Sequence, residues 1–253
     1  MTEETKGQAA VEVVLPGDGA AREAARLRLI VAIDGPAGAG KSTLAAHLAR
    51  RFSLLNLETG AMYRALALKA IENDLDFDDA DTMVQLCRNT QIALEPAREG
   101  NRVLLDRVDV TRRLRAADVT AAASRVSVHP GVRVWMVEQQ RLLGKSGGVV
   151  MEGRDIGTAV FPDAEVKIFL DADPSVRGSR RFQQLTPTLA AAATPESEEA
   201  VLRELQERDQ RDRTRADSPL RAAEDAVRID STGMTLDEVL RRAEQVVASF
   251  LAK

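Results

Sequence analysis

Apolar residues in this chain follow two arrangements, short continuous runs and stretches in which they recur every three or four positions. The run at 29–33 (LIVAI) is typical of a strand that is buried on both faces of a sheet. After it, Leu44, Leu48 and Phe52 recur every four residues, which predicts a helix with one apolar face. A strand, a loop and a helix in this order predict a βα unit.

The two arrangements continue to alternate along the chain. Residues 91–106 have the pattern of a β-hairpin with a glycine-bearing turn, which indicates an inserted lobe. A long helical stretch at 177–215 is interrupted near 186–195. Strands alternating with helices predict an α/β fold with a mainly parallel sheet. The other predicted elements are strands at 54–57, 148–151, 165–170 and 227–230, and helices ending near 71 and spanning 116–123, 132–143 and 235–251.

Composition narrows the class of protein. Hydrophobic residues make up 44% of the 253 residues and charged residues 29%, which is the balance of a globular protein. The formal net charge of −4 gives no basic excess, so we expect no nucleic acid to bind. One cysteine, Cys87, excludes an intrachain disulfide, and no apolar run is long enough to span a membrane. We therefore expect a cytoplasmic protein, with residues 1–26 as a disordered or loosely attached extension.

A glycine-rich motif fills the loop between the first strand and the first helix. Its pattern G-x-x-x-x-G-K-S lets successive backbone N–H groups point at phosphate oxygens, and the helix adds its positive N-terminal end. Lys41 can reach the β- and γ-phosphates, and the hydroxyl of Ser42 can bind Mg²⁺. The motif predicts a nucleoside triphosphate site but leaves the acceptor open among water, a protein, a nucleotide and a metabolite. The predicted phosphate-binding residues are Gly35, Pro36, Ala37, Gly38, Ala39, Gly40, Lys41, Ser42 and Thr43.

Arginines outside this loop suggest an acceptor that is itself phosphorylated. Arg208, Asp212 and Arg215 fall at i, i+4 and i+7 on one helical face, although a salt-bridged surface helix has the same spacing. Arg154 and Asp155 directly follow the predicted strand at 148–151, and open α/β sheets bind ligands at the carboxyl ends of their strands. This pair is either a buried ion pair or a ligand contact.

Six sequence blocks together resemble the bacterial cytidylate kinase family over residues 27–251. In chain order they are GPAGAGKST at 35–43, ETGAMYR at 58–64, EGRDIGT at 152–158, VFPDA at 160–164, KIFLD at 167–171 and ERDQRDR at 207–213. The resemblance implies transfer of the γ-phosphate of ATP to CMP or dCMP with Mg²⁺, by a monomer. It also implies a P-loop NTPase core (27–58, 146–175 and 216–253), an inserted nucleoside-monophosphate lobe (59–145) with a small antiparallel sheet, and a helical lid (176–215).

The resemblance also assigns roles to individual residues. Asp155 would accept a hydrogen bond from the cytosine amino group and would repel the carbonyl that uracil has there. Glu58 is a departure, because the family usually has Asp before this Thr-Gly pair. The implied catalytic residues are Lys41, Arg154, Arg208 and Arg215. The implied acceptor contacts are Thr59, Arg64, Arg154 and Arg215 for the phosphate, Ser124, Arg133 and Asp155 for cytosine, and Arg208 and Asp212 for the ribose, with Tyr63 beside them. The implied lid arginines are Arg177, Arg180, Arg181 and Arg211.

Two other functions are compatible with the loop alone. One is a kinase for UMP or for a metabolite that is not a nucleotide. The other is a nucleotide-dependent switch or regulatory ATPase, in which hydrolysis acts on a partner. No Asn-Lys-x-Asp string is present to indicate guanine recognition.

Overall fold

The computed structural model describes residues 11–13, 28–97, 100–192 and 197–251, without the side chains of 11–13 and 185–192. The strands in chain order are β1 (Val11–Val13), β2 (Ile30–Asp34), β3 (Leu55–Glu58), β4 (Ile92–Pro96), β5 (Asn101–Leu105), β6 (Val108–Asp109), β7 (Val149–Gly153), β8 (Val166–Asp171) and β9 (Val227–Asp230). The α-helices are α1 (Lys41–Phe52), α2 (Thr59–Glu72), α3 (Ala80–Arg88), α4 (Ala117–Val126), α5 (Pro130–Gly144), α6 (Pro174–Ala192), α7 (Glu198–Thr214) and α8 (Leu236–Leu251). A short 3₁₀ turn spans Arg113–Arg115 and a π-helical turn spans Ile156–Val160.

The chain divides into two compact units, one made of Met1–Arg22 and Leu57–Ser146 and the other of Glu23–Asn56 and Gly147–Lys253. The second unit contains the larger sheet, in the order β3-β7-β2-β8-β9, and the division between the units falls within β3. Strands β7, β2, β8 and β9 pair in parallel, as the alternation of strands and helices predicts. Among the described residues, none of the helices is both long and apolar enough to cross a membrane.

The core of this unit forms around β2, the middle strand of the sheet. Val31 and Ile33 of β2 are fully buried, because the strand has neighbours on both sides and helices over its faces. Leu44 and Leu48 of α1 pack in the same apolar cluster, which confirms the four-residue spacing predicted for that helix. The C-terminal helix α8 closes the cluster with Val239, Ala243 and Val247.

The order of the strands fixes where the site can form. Because β2 lies between β7 and β8, the loops that follow these three strands begin along one edge of the sheet. Gly35 directly follows β2, and a Cβ at this position would lie 2.0 Å from the carbonyl oxygen of Leu170 in β8. Only glycine allows the loop to leave the sheet this close to the neighbouring strand.

The first unit has its own small sheet, in the order β1-β4-β5-β6. Strands β4 and β5 pair antiparallel, which confirms the predicted hairpin. Strand β1 pairs in parallel with β4 and falls within the segment predicted to be a loose extension. The rest of 1–26 lies outside the described residues, so that prediction stays a prediction.

Two helical features differ from the sequence prediction. Helix α3 was not predicted, and its N-terminus is capped by Asp79, whose carboxylate accepts hydrogen bonds from the backbone N–H groups of Asp81 and Thr82. The interruption predicted near 186–195 is shorter than expected, because α6 continues to Ala192 and α7 begins at Glu198. Residues 193–196 lie outside the described part of the chain.

Candidate active site

The glycine-rich loop leads directly into α1, as the motif predicts. Gly40 has a φ of 95°, a left-handed conformation that suits glycine, and helix α1 begins at the next residue. Lys41 folds back over the loop, where its Nζ donates to the carbonyl of Pro36 at 2.7 Å. Ser42 and Thr43 are exposed at the helix N-terminus. Backbone N–H groups at a helix start, next to a lysine, form a surface suited to phosphate oxygens.

The ammonium group of Lys41 lies in an unfavourable electrostatic environment. Burial and the nearby charges of Arg154 and Arg208 lower the pKa of Lys41 to about 7, against the opposing effect of Glu152 and Asp212. Within this unit, the positive charges of Arg154, Arg208 and Lys41 therefore repel one another. A bound polyphosphate would supply negative charge that offsets this repulsion.

Four of the predicted acceptor residues meet in one buried cluster of the second unit, which we call the acceptor cluster: Arg154, Asp155, Asp212 and Arg215. The Nε of Arg154 donates to Oδ2 of Asp212 at 2.8 Å. Arg215 lies within 3.6 Å of Asp212 and 3.5 Å of Asp155. Arg208 lies close enough for its charge to act on Asp212. The structure thus brings together residues that are far apart in sequence. On the helical face predicted from the spacing on α7, Asp212 is buried.

Asp34, at the end of β2, holds the segment that carries this cluster. Its two carboxylate oxygens accept hydrogen bonds from the backbone N–H groups of Ile156 and Gly157, each at 2.7 Å. Burial raises the pKa of Asp34 to about 6, although these two hydrogen bonds oppose the shift. Sequence reasoning missed this residue, and its signal was an acidic side chain at the end of an otherwise apolar strand.

Glu152 was also missed as a site residue. It is 4% exposed on β7, beside the loop strand β2, and its charge acts on Lys41. A carboxylate inside an apolar strand is costly unless it meets a cation. That cost was a signal in the sequence, because Glu152 directly follows the apolar run at 149–151.

In the first unit, two pairs involve predicted acceptor residues. Arg64 forms a salt bridge with the carboxylate of Glu58, the position at which this chain departs from the family pattern. Arg133, which is 3% exposed, donates to the hydroxyl of Tyr63 at 3.4 Å. The structure therefore contains two pairs of these residues, Glu58 with Arg64 and Tyr63 with Arg133.

Two more predicted residues of this unit have buried hydroxyl groups. Thr59 is 3% exposed at the first position of α2. Ser124 is 5% exposed on α4, and its Oγ has no hydrogen-bond partner among the described residues. A buried hydroxyl without a partner is unfavourable, so Ser124 is suited to meet a polar group that a ligand supplies.

One of the predicted lid arginines, Arg177, contacts the phosphate-binding loop. Arg177 is 1% exposed, and its guanidinium donates to the carbonyl oxygens of Ala172 and Ala37 at 2.9 Å each. It also forms an ion pair with Asp209 at 2.6 Å. All three partners belong to the protein, and one of them is the backbone of the phosphate-binding loop. Arg180 similarly donates to the side chain and the carbonyl of Ser231.

Comparison with known proteins agrees with the resemblance described above. The family model described as cytidylate kinase matches residues 31–249. Cytidylate kinase of Solibacter usitatus is 48% identical over 88% of this chain and 93% of its own length. Cytidylate kinase of a Geobacillus species is 45% identical over 88% of this chain and 97% of its own, and that of Enterococcus faecalis is 44% identical over 87% and 96%. The range of the family model includes the glycine-rich loop and the acceptor cluster, and these matches show that the chain belongs to the cytidylate kinase family.

Proposed function

We propose that this protein transfers the γ-phosphoryl group of ATP to CMP or dCMP, giving CDP or dCDP in pyrimidine nucleotide metabolism. Family membership supports the reaction. One structural observation supports the assignment of some residues to the donor phosphates and of others to the acceptor phosphate. The charges of Arg154 and Arg208 act directly on Lys41, so the groups proposed for donor and acceptor phosphates are electrostatically coupled. Phosphoryl transfer between two anions needs this concentration of positive charge.

The donor is held by the loop from Gly35 to Thr43. Its N–H groups and the start of α1 bind the phosphate oxygens, and Lys41 exchanges the carbonyl of Pro36 for them. Mg²⁺ would be held by the hydroxyl of Ser42, and the charge of Glu152, which acts on the neighbouring Lys41, would favour a cation there. Among the described residues there is no group of three or more His, Cys, Asp or Glu that could hold a metal, which fits an ion carried mainly by the triphosphate. When bound, Mg²⁺ neutralises charge on the phosphate oxygens.

The acceptor cluster orients and neutralises the phosphate of CMP. In this structure, Arg154 forms an ion pair with Asp212, and Arg215 forms ion pairs with Asp212 and Asp155. These carboxylates keep both guanidinium groups oriented. An arginine fixed in this way can form paired hydrogen bonds to a phosphate without a large entropic cost. No general base is required, because the attacking oxygen of CMP is already anionic and needs only to be aligned for in-line attack.

The base is read by Asp155, Ser124 and Arg133. Asp155 is buried, and its carboxylate would accept the cytosine amino group. The unsatisfied Oγ of Ser124 and the buried guanidinium of Arg133 support a polar ligand in the first unit. Thr59, Tyr63 and Arg64 complete the proposed acceptor contacts of that unit, and Arg208 with Asp212 those to the ribose. Action as a monomer in the cytoplasm, without nucleic acid, is part of the same proposal.

The test is a coupled assay with ATP and Mg²⁺ against CMP, dCMP, UMP and AMP. We expect kcat/KM for CMP or dCMP to exceed that for UMP by at least about 100-fold, because UMP would leave buried hydrogen-bonding groups of the site unpaired. UMP or AMP reacting as fast as CMP would overturn the cytosine assignment. Asp155→Ala should reduce the preference for CMP far more than it reduces ATP binding. Phosphate release from ATP alone at the rate seen with CMP would indicate a regulatory ATPase instead.

A further inference from the structure

Ala37, the third residue of the phosphate-binding loop, is held on both sides of its backbone by a single ion pair. Its N–H donates to Oδ1 of Asp209 at 3.2 Å. Its carbonyl accepts a hydrogen bond from Arg177 at 2.9 Å. The same nitrogen of Arg177 lies 2.6 Å from Oδ2 of Asp209. The two charged side chains therefore close around one peptide segment of the loop.

This ion pair is shielded from water. The side chains of Arg177 and Asp209 are 2% and 9% exposed. Val201, Leu205 and Phe182 pack with Ala37 in an apolar cluster of their own. Hydrogen bonds between charged groups in such a low-dielectric setting are strong and geometrically specific, and removing one partner is costly.

The ion pair also connects the loop to two helices of this unit, α6 and α7. Arg177 lies on α6, and a Cβ on Gly38 would come within 3.3 Å of its Cβ, so the loop runs directly against this helix. Asp209 lies on α7 next to Arg208, within the helix that also presents Asp212. A displacement of α7 would therefore be transmitted to the backbone of Ala37.

The path from Ala37 to the donor phosphates is short. The residue before it, Pro36, accepts the hydrogen bond of the Lys41 ammonium through its carbonyl at 2.7 Å. The Pro36 carbonyl and the Ala37 N–H belong to one planar peptide group, so the hydrogen bond from this N–H to Asp209 orients the carbonyl that Lys41 contacts.

We infer that Arg177 and Asp209 are positioning residues, which set the conformation of the phosphate-binding loop for the donor triphosphate and couple it to α7. The inference rests on the proposed function, since it assumes that this loop binds ATP. Neither residue needs to touch ATP, because each acts through the backbone of Ala37.

The test compares two substitutions of Asp209 by calorimetric titration with ATP and Mg²⁺ in the absence of an acceptor. Asp209→Ala removes the acceptor of the Ala37 N–H group and should weaken ATP binding about 10-fold, the loss of one charge-assisted hydrogen bond. Asp209→Asn keeps an oxygen for that N–H group and should recover most of this loss. CMP binding, titrated separately, should change less than about twofold, since the acceptor groups are not displaced.

Lys167→Met is the matched control. Lys167 is 8% exposed in the same unit, and its ammonium donates to the carbonyl of Pro162 and, at 2.7 Å, to Asp225, but not to the phosphate-binding loop. The Lys167→Met variant should lower the melting temperature about as much as Asp209→Ala does, while ATP affinity stays within about twofold, because residues that share no partner usually act independently. If Asp209→Ala proves unfolded, Arg177→Lys replaces it, since Lys keeps the charge but loses the paired hydrogen bonds.

The outcomes separate this inference from the proposed function. Loss of ATP affinity in Asp209→Ala, its recovery in Asp209→Asn and its absence in Lys167→Met would support the positioning role. Equal ATP affinity in wild type and Asp209→Ala, or an equal loss in Lys167→Met, would overturn it and leave a structural ion pair only. Because the titration uses no acceptor, a wrong acceptor assignment would appear in the substrate panel and would not affect this result.

Discussion

Arg154 donates from Nε to Oδ2 of Asp212 at 2.8 Å, across 58 residues of sequence. Although burial raises the pKa of Asp212, the charges of Arg154, Arg208 and Arg215 outweigh that effect and hold the pKa below its usual value. Asp212 therefore stays ionised at neutral pH. Its negative charge offsets the positive charges of Arg154, Arg208 and Arg215 until the phosphate of an acceptor binds to them.

Asp212→Asn should therefore weaken acceptor binding more than donor binding. The amide cannot compensate the arginine charges, and breaking a buried ion pair costs about 3–5 kcal/mol in general. Asp212 is also proposed to hold the ribose, and it keeps Arg154 and Arg215 oriented. Losing these contacts should outweigh the gain in positive charge toward the phosphate, so we expect KM for CMP to rise about 10- to 100-fold. Steady-state kinetics with each substrate varied in turn would measure this. An increase in KM for ATP as large as that for CMP would contradict it.

Ser124 offers a variant in which stability and function should separate. Its Oγ is buried and has no hydrogen-bond partner among the described residues, so Ser124→Ala removes an unsatisfied group. We expect the melting temperature to stay equal or to rise, while KM for CMP rises about fivefold through the loss of one ligand hydrogen bond. Thermal unfolding would measure the stability, and steady-state kinetics with CMP varied would measure KM. A clear loss of stability without the ligand would show that the hydroxyl has a structural partner.

The spacing of apolar residues correctly predicted the strands and helices that bury one regular face. Strand β2 and helix α1 have apolar spacing that matches one buried strand and one helical face, and both form as expected. Helix α3 is too short to show a full apolar stripe. Its capping residue, Asp79, is one of several aspartates at 74–79, so it was a weak signal of where a helix begins. Strand β1 depends on its pairing with β4, about which local sequence gives no information.

Within the candidate site, sequence predicted residue types better than contacts. The spacing on α7 placed Arg208 and Asp212 on one face, but it did not reveal that Asp209 would bind Ala37 from 172 positions away. The family resemblance placed Arg177 in the lid, and nothing in the sequence indicated its contacts, because an arginine in a helical stretch has the same pattern whether it faces solvent or the protein interior. The supporting roles of Asp34 and Glu152 required knowledge of which strands are neighbours.

Asp34 should make stability depend on pH. Its pKa in the folded protein is about 6, above the usual value of 3.8, so folding favours the protonated form. The stability that this group contributes is present below about pH 4 and is lost as pH rises through about 6. Asp34→Asn cannot ionise, so the stability of wild type relative to this variant should fall between pH 4 and pH 7. Urea unfolding at several pH values would measure it, and a pH-independent difference would show that the pKa of Asp34 is not raised.

Lys41 should couple ATP binding to proton uptake. In the free protein its pKa is lowered to about 7, and bound phosphates restore the charged form, so above pH 7 the lysine must gain a proton when ATP binds. One pKa unit corresponds to about 1.4 kcal/mol, so affinity should fall by up to about tenfold for each pH unit above 7. Calorimetry at pH 8 in buffers of different ionisation enthalpy would detect the uptake. Lys41→Arg is the control, because arginine stays charged and should bind ATP without a buffer-dependent enthalpy, even if more weakly. Equal enthalpies for wild type in all buffers would mean that Lys41 is already protonated before ATP arrives.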